Sequence, residues 1–191
     1  MSGQPHIEDL VSSERLRPLR RAEYDWMVDQ GFFQDEKVEL LEGIIVEMSP
    51  EGPRHAATIE RLLRVFVLRL SDRAGVRSGS PYAASEISEP EPDLAVVPAG
   101  DHDLAHPSEA FLLIEVASSS LAKDRRVKTR IYAAAGVPEY WIVDVSAATI
   151  EVRTEPSNDG YAQLRVARPG ETVRLQAFPD VEIAVSDIVR V

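Results

Sequence analysis

The sequence predicts an α/β fold: a mixed central sheet flanked by helices, with a β-rich C-terminal extension, in one domain over residues 19–191. Three observations lead there. Helical patterns near 20–30, 54–72 and 121–135 alternate with short apolar runs of β type. Turn residues bound those runs, and beyond residue 139 the chain reads as strands and turns. Residues 1–18 mix polar and charged side chains without a sustained period, so they are expected to form a poorly ordered arm.

In chain order, Tyr24, Met27 and Val28 have helical spacing and Gly31 follows as a stop. Val38–Leu41 and Ile44–Met48 are two β runs joined by Glu42-Gly43, a two-residue connection suited to a tight hairpin. Ser49-Pro50 breaks the pattern. Ile59, Leu62, Leu63, Phe66, Val67 and Leu70 then recur at intervals of three and four, the mark of an amphipathic helix. After a Gly/Ser-rich turn at 78–80, strands are expected near 82–88, 93–97 and 111–116. Ser120 suits the N-cap of the next helix, and Gly136 with Pro138 suits its stop. A strand at 139–145 returns the chain to the sheet. The extension adds short runs near 148–153, 161–167, 172–175 and 181–185, with SNDG and RPGE turns.

Composition narrows the function classes. No run approaches the ~20 apolar residues that span a bilayer, and the start, with Glu8, Asp9 and Glu14, does not resemble a secretory signal. No cysteine is present, so any metal must be held by oxygen or imidazole ligands, and a cytoplasmic location is expected. A net charge of −11 argues against a simple nucleic-acid coating protein, because such affinity rests on Lys and Arg displacing counterions. Within 123–130, however, Lys123, Arg125, Arg126, Lys128 and Arg130 face the single Asp124, so a local basic patch is expected.

The stretches with chemistry in them are Glu91-Pro92-Asp93-Leu94-Ala95-Val96-Val97 and Phe111-Leu112-Leu113-Ile114-Glu115-Val116. One carries a carboxylate at the start of an apolar strand, the other near its end. Burying a carboxylate is costly unless it is paired, hydrogen-bonded or bound to a cation. A connection as short as 98–110 most simply joins antiparallel strands, which would make Asp93 and Glu115 neighbours. Two adjacent carboxylates repel, and a hard divalent ion such as Mg2+ is the natural compensation. The alternative is structural: Asp93 ending a strand, and Glu115 paired with a core arginine.

Pro92-Asp93, Glu115-Val116-Ala117-Ser118, Asp124 with Lys128, and Gly136-Val137-Pro138-Glu139-Tyr140-Trp141 resemble the Uma-type branch of the PD-(D/E)XK, or restriction-endonuclease-like, superfamily. Glu39-Leu40-Leu41-Glu42-Gly43, Glu47-Met48-Ser49-Pro50 and His55 resemble its N-terminal block, so the likeness extends over about residues 20–190. It implies a restriction-endonuclease-like sheet and hydrolysis of nucleic acid, most simply DNA. Asp93, Glu115 and the backbone carbonyl of Val116 would hold Mg2+ or Mn2+. The superfamily places a lysine two residues after the glutamate, where this chain has Ala117. The resemblance points instead to Lys128, with Lys123 nearer in sequence. It also suggests Glu39 and His55 as accessory groups.

Each assignment has a structural counterpart. Asp124 and Lys128 have the spacing of an ordinary surface helix pair. Arg125, Arg126 and Arg130 read either as solvated charges or as phosphate-positioning groups. Glu39 reads equally well as a polar outward-facing residue of a hairpin, and a lone His55 near a helix start is commonly a cap or surface residue. Tyr140 and Trp141 read as core. Two other function classes remain open: a nucleic-acid or protein binding module on the same fold, and, far behind for want of aromatics, a glycosidase with paired carboxylates. Apolar β segments near the C-terminus suit a homodimer interface.

Overall fold

The computed structural model describes residues 16–190, and most of the arm expected over 1–18 lies outside them. The elements are α1 (Arg21–Asp29), a hairpin of β1 (Val38–Leu41) and β2 (Ile44–Glu47), α2 (Pro53–Leu70), β3 (Gly75–Ser78), β4 (Leu94–Val97) and β5 (Leu112–Ala117). Then come α3 (Leu121–Lys123), a π-helical turn (Asp124–Lys128) and α4 (Thr129–Ala134) as one continuous helical segment. It is followed by β6 (Glu139–Asp144), β7 (Thr149–Ser157), β8 (Gly160–Ala167), β9 (Thr172–Arg174), β10 (Glu182–Ala184) and α5 (Val185–Ile188).

Six strands make the central sheet in the order β3-β4-β5-β6-β7-β8. Only β5 and β6 are parallel, joined through the α3–α4 segment; the other neighbours are antiparallel. Alternation sorts the side chains. Leu94, Val96, Leu112, Ile114 and Val116 join Leu62, Phe66 and Leu70 of α2 in one core. Ala95, Val97, Leu113 and Ala117 join Ile131 and Tyr132 of α4 in the other. Glu115 therefore projects toward α4. Among the described residues, no helix is long and apolar enough to cross a membrane.

The β1–β2 turn has Glu42 and Gly43 both at positive φ, 51° and 80°, which matches the right-handed twist of a two-residue hairpin. A Cβ on Gly43 would lie 2.3 Å from Pro18 Cβ, so only glycine lets the incoming chain cross the turn.

One strand expectation needs correction, and one strand was not expected. Residues 82–88 are not a strand; they form an irregular segment with an isolated bridge between Ser85 and Ser88. The backbone N–H groups of Tyr82 and Ala83 donate to Pro90 and Pro107 in loops, leaving them unable to build a ladder. The edge strand is instead Gly75–Ser78, whose sequence GVRS is too short and polar to show a β period. Ser120 stands at the helix start, but its hydroxyl donates to Asp124 Oδ2 at 2.7 Å and makes no cap bond.

Candidate active site

Antiparallel pairing of Leu94 with Ile114 puts Asp93 across from Glu115, the adjacency the short connection predicts. Asp93 Oδ2 accepts the Val116 N–H at 2.6 Å, which fixes the carboxylate against the end of β5. Asp93 Oδ1 and Glu115 Oε2 have no hydrogen-bond partner among the described residues. Both carboxylates line a narrow cleft with room for about 50 Å³ of solvent, together with Glu51, His55, Asp124, Lys123 and Lys128.

Lys128 is buried and reaches Glu115 Oε1 at 2.8 Å and Glu39 Oε2 at 3.0 Å. It is not the surface partner of Asp124 that its spacing allows. The reason is the π turn. The Thr129 N–H and Thr129 Oγ1 both donate to the Asp124 carbonyl, the latter at 2.9 Å, and Tyr140 Oη adds a third donor at 3.3 Å. That wider turn leaves Asp124 and Lys128 both buried, while Arg125 and Arg126 stay outside or at the rim. Such turns cost regular helical bonding and recur where a helix must aim side chains for function.

Glu39 on β1 is fully enclosed. Its Oε1 accepts from Lys123 at 2.7 Å, and its Oε2 takes Lys128 and the Glu91 N–H. Burial alone would raise its pKa, but Lys128 and Lys123 outweigh burial and hold it below the ordinary value. Glu115 behaves oppositely. Burial pushes it well above the carboxylate range; Lys128 opposes this, while Asp124, Asp93 and Glu39 add to it. The contrast follows from partners: Glu39 has two lysines, whereas Glu115 shares one and takes its other donor, Tyr132 Oη at 2.7 Å, from a neutral group. Burial would lower the Lys128 ammonium, yet Glu115 and Glu39 prevail and keep it charged.

His55 enters from the third position of α2, the helix on the other face of the sheet. Its Nε2 lies 3.4 Å from Asp93 Oδ2 and its Nδ1 lies 3.6 Å from Glu51 Oε2. Burial pulls its pKa down, but Asp93 and Glu51 more than offset that. Across the cleft, Asp124 is buried, and its Oδ1 has neither solvent nor a hydrogen-bond partner. Burial raises its pKa against the pull of Lys128 and Ser120.

The basic patch expected over 123–130 does not form. Arg125 pairs with Glu151 and Arg130 with Glu42, while Lys123 and Lys128 are claimed by Glu39 and Glu115. Among the described residues only Arg126 of that run has no ion-pair partner. Those acids lie far off in sequence, so the local count of charges misled. Glu51 and Asp124 were missed as cleft residues. The signals were present in the four-residue spacing of Glu51 and His55 and in the Asp124–Lys128 pair, but both also suit plain helix surfaces.

The sequence matches the Uma2 family, described as "Putative restriction endonuclease", over residues 21–186. The chain belongs to that family. Among solved structures, this Uma2-family chain resembles one titled as a putative nuclease belonging to DUF820 from Anabaena variabilis, with a TM-score of 0.70 at 14% identity. That likeness covers 90% of this chain and 97% of the other, and at such identity it shows the fold. No curated protein sequence matches the chain. The nuclease-like fold is thus established, and nucleic acid is the substrate the family implies.

Proposed function

We propose that this chain is a metal-dependent endonuclease that hydrolyses phosphodiester bonds of nucleic acid, and of DNA in particular. One observation carries the reading. Four carboxylates, Glu51, Asp93, Glu115 and Asp124, line a cleft whose two lysines both pair with Glu39 and of which only Lys128 also pairs with one of the four, Glu115. More carboxylates than cations in a partly buried cleft is unfavourable, and an oxygen-rich site of this kind fits Mg2+ or Mn2+. The unpartnered Asp124 Oδ1 supports the same conclusion.

In this reading Asp93, Glu115 and the carbonyl of Val116 would hold the cation. Bound there, it would lower the pKa of water and offset phosphate charge. The chain's own groups have separable tasks. Lys128 pins Glu115 Oε1 so that Oε2 faces the cleft, and its ammonium stabilises negative charge developing nearby. Glu39 positions Lys128 by holding it from the hairpin side. Tyr132 fixes the rotamer of Glu115 from below. His55 orients Asp93 across the strand end. Absence of cysteine supports action in the cytoplasm. The exposed Leu164 and Val166 on the edge strand β8 support a homodimer, which light scattering tests: a monomer at all concentrations overturns it.

The deciding experiment incubates plasmid and single-stranded DNA with the purified protein and Mg2+ or Mn2+. Asp93→Ala and Glu115→Ala serve as controls. Equal cleavage by wild type and both variants overturns the proposal.

A second reading is favoured by one feature: Ala117 stands at the lysine position. It makes the chain a catalytically weak binding module on the nuclease fold. Calorimetry separates the two, since a binding module retains affinity for nucleic acid while taking up neither cation.

A further inference from the structure

A second pocket, of about 250 Å³, opens between α1, the loop that follows it and the segment that ends at Glu91. It is smaller than the ~300–1,000 Å³ of drug-sized sites and so suits a small group. The sequence builds it from three pieces. Asp25 and Asp29 lie one turn apart on α1. Gly31, at a φ of 78°, turns the chain so that Phe33 stacks on Tyr24, with 5.8 Å between ring centroids. Glu89 is tied to β1 by a pair of backbone bonds with Leu40, at 2.8 and 3.3 Å.

Five acids line this pocket, Asp25, Asp29, Glu36, Glu89 and Glu91, against the two bases Lys37 and His106. Lys37 is already taken by Glu91 at 3.1 Å and Glu51 at 3.3 Å, and burial with Arg77 nearby lowers the pKa of His106, keeping it uncharged at neutral pH. Glu89 is the most enclosed of the five acids, 3% exposed, and its Oε2 has neither solvent nor a hydrogen-bond partner. Arg21, outside the lining, stands off at 3.8 Å, and its Nε is unpartnered as well. An enclosed carboxylate oxygen without a donor is costly, so this one calls for a cation from outside the chain.

We propose that this pocket binds an organic cation, an ammonium or guanidinium group on a short alkyl stem, held by Glu89 and Asp25. A metal ion fits it poorly: among the described residues, no three of these acids bring one oxygen each within 4.8 Å of one another. An anion would meet five carboxylates, and a neutral apolar group would leave Glu89 without a donor. An alkyl cation meets both demands. Its N–H groups make charge-assisted bonds to the carboxylates. Tyr24, Phe33 and Val38 cover the stem, and aromatic rings attract the charge. The pocket shares no lining residue with the acidic cleft, so the inference stands independently of what that cleft binds.

Titration calorimetry with agmatine, cadaverine and Nα-acetyl-arginine methylamide tests this, at ~0.15 M salt to screen diffuse attraction to an acidic chain. A pH of about 8 keeps Glu89 ionised, since burial and Asp25 push its pKa up to about 7. Wild type is expected to bind at least one of the three at a single site, with a Kd of ~0.1 mM or tighter. Glu89→Gln and Asp25→Asn should each weaken it at least ~10-fold. Glu60→Gln, which removes an exposed acid of α2, should leave it unchanged. Thermal melts confirm folding, and the partly exposed Asp25 gives a second variant should Glu89→Gln not fold. Binding of agmatine or cadaverine but not of the blocked arginine supports a free small cation, and the reverse supports an arginine side chain of a partner protein. No binding of any of the three overturns the proposal. So does binding that Glu89→Gln and Asp25→Asn leave as in wild type, or that Glu60→Gln weakens as much as they do.

Discussion

Glu115 on β5 and Glu139 on β6 are both buried glutamates on adjacent parallel strands, and they lie on opposite faces of the sheet. Glu139 is closed: Oε1 accepts from Trp141 Nε1 and Oε2 from the Gln176 N–H, each at 2.8 Å. Both donors are neutral, and burial still leaves its pKa raised. Glu115 is open, with Oε1 shared between Lys128 and Tyr132 and Oε2 without a partner among the described residues. Burial therefore does not separate a structural acid from one proposed to bind a cation. What separates them is whether the fold uses every lone pair, because a satisfied carboxylate stabilises the fold whereas an unfilled one waits for a ligand.

Substitution on the open side should give the largest effects. Asp93→Asn and Glu115→Gln are expected to reduce metal-dependent cleavage about 1000-fold, the several kcal/mol of charge stabilisation at stake. Both variants should stay folded, since each amide oxygen can still accept the hydrogen bond the carboxylate took and Lys128 keeps its pair with Glu39. A plasmid-nicking assay beside a thermal melt checks this, and a Glu115→Gln variant that loses its fold while an active fraction cleaves normally would place Glu115 with Glu139. Next in size is Lys128→Met. It leaves Glu39 and Glu115 buried without their shared cation and should destabilise by about 3–5 kcal/mol in urea unfolding. Adding Glu39→Gln to it should recover part of that loss, because the stranded charge is gone. Glu139→Gln comes third, at about 2 kcal/mol, since the new amide presents a donor to the Gln176 N–H. Its Mn2+ isotherm should be unchanged, and a shift there would erase the distinction between the two acids.

How far the sequence carried this depended on the range of the contact. The hairpin was legible because Glu42-Gly43 is a local signal, and the Asp93–Glu115 pairing because a short connection restricts strand direction. Lys128 was placed beside the acids by resemblance to a family pattern, since nothing in the run KDRRVKTR marks which cation turns inward. That choice is made by Thr129 and Tyr140 stabilising a π turn, a tertiary effect. The neutralised arginines show the same limit, because Glu42 and Glu151 come from distant strands and turns. Strand β3 was missed for a different reason: an edge strand of four partly exposed residues carries too little alternation to be seen.

The smallest expected effect concerns a third buried acid, Glu89 under α1, which sharpens the comparison from a site with no ammonium at hand. Its Oε2 is enclosed without a hydrogen bond, and Arg21 Nη1 stands off at 3.8 Å. Burial first and then Asp25 push its pKa up to about 7, with Arg21 opposing. A carboxyl whose folded pKa is raised binds its proton more tightly in the native state than in the unfolded one. Its contribution is therefore fully present below pH 4.5, the ordinary value, and is lost as pH rises through about 7. Glu89→Gln, which cannot ionise, should abolish that decline. With Arg21 opposing the shift, the variant should exceed wild type by about 1 kcal/mol above neutral pH and match it in acid. Urea unfolding across this range measures the slope. An identical slope in both proteins would mean that Arg21 is an effective partner and offsets the burial of Glu89.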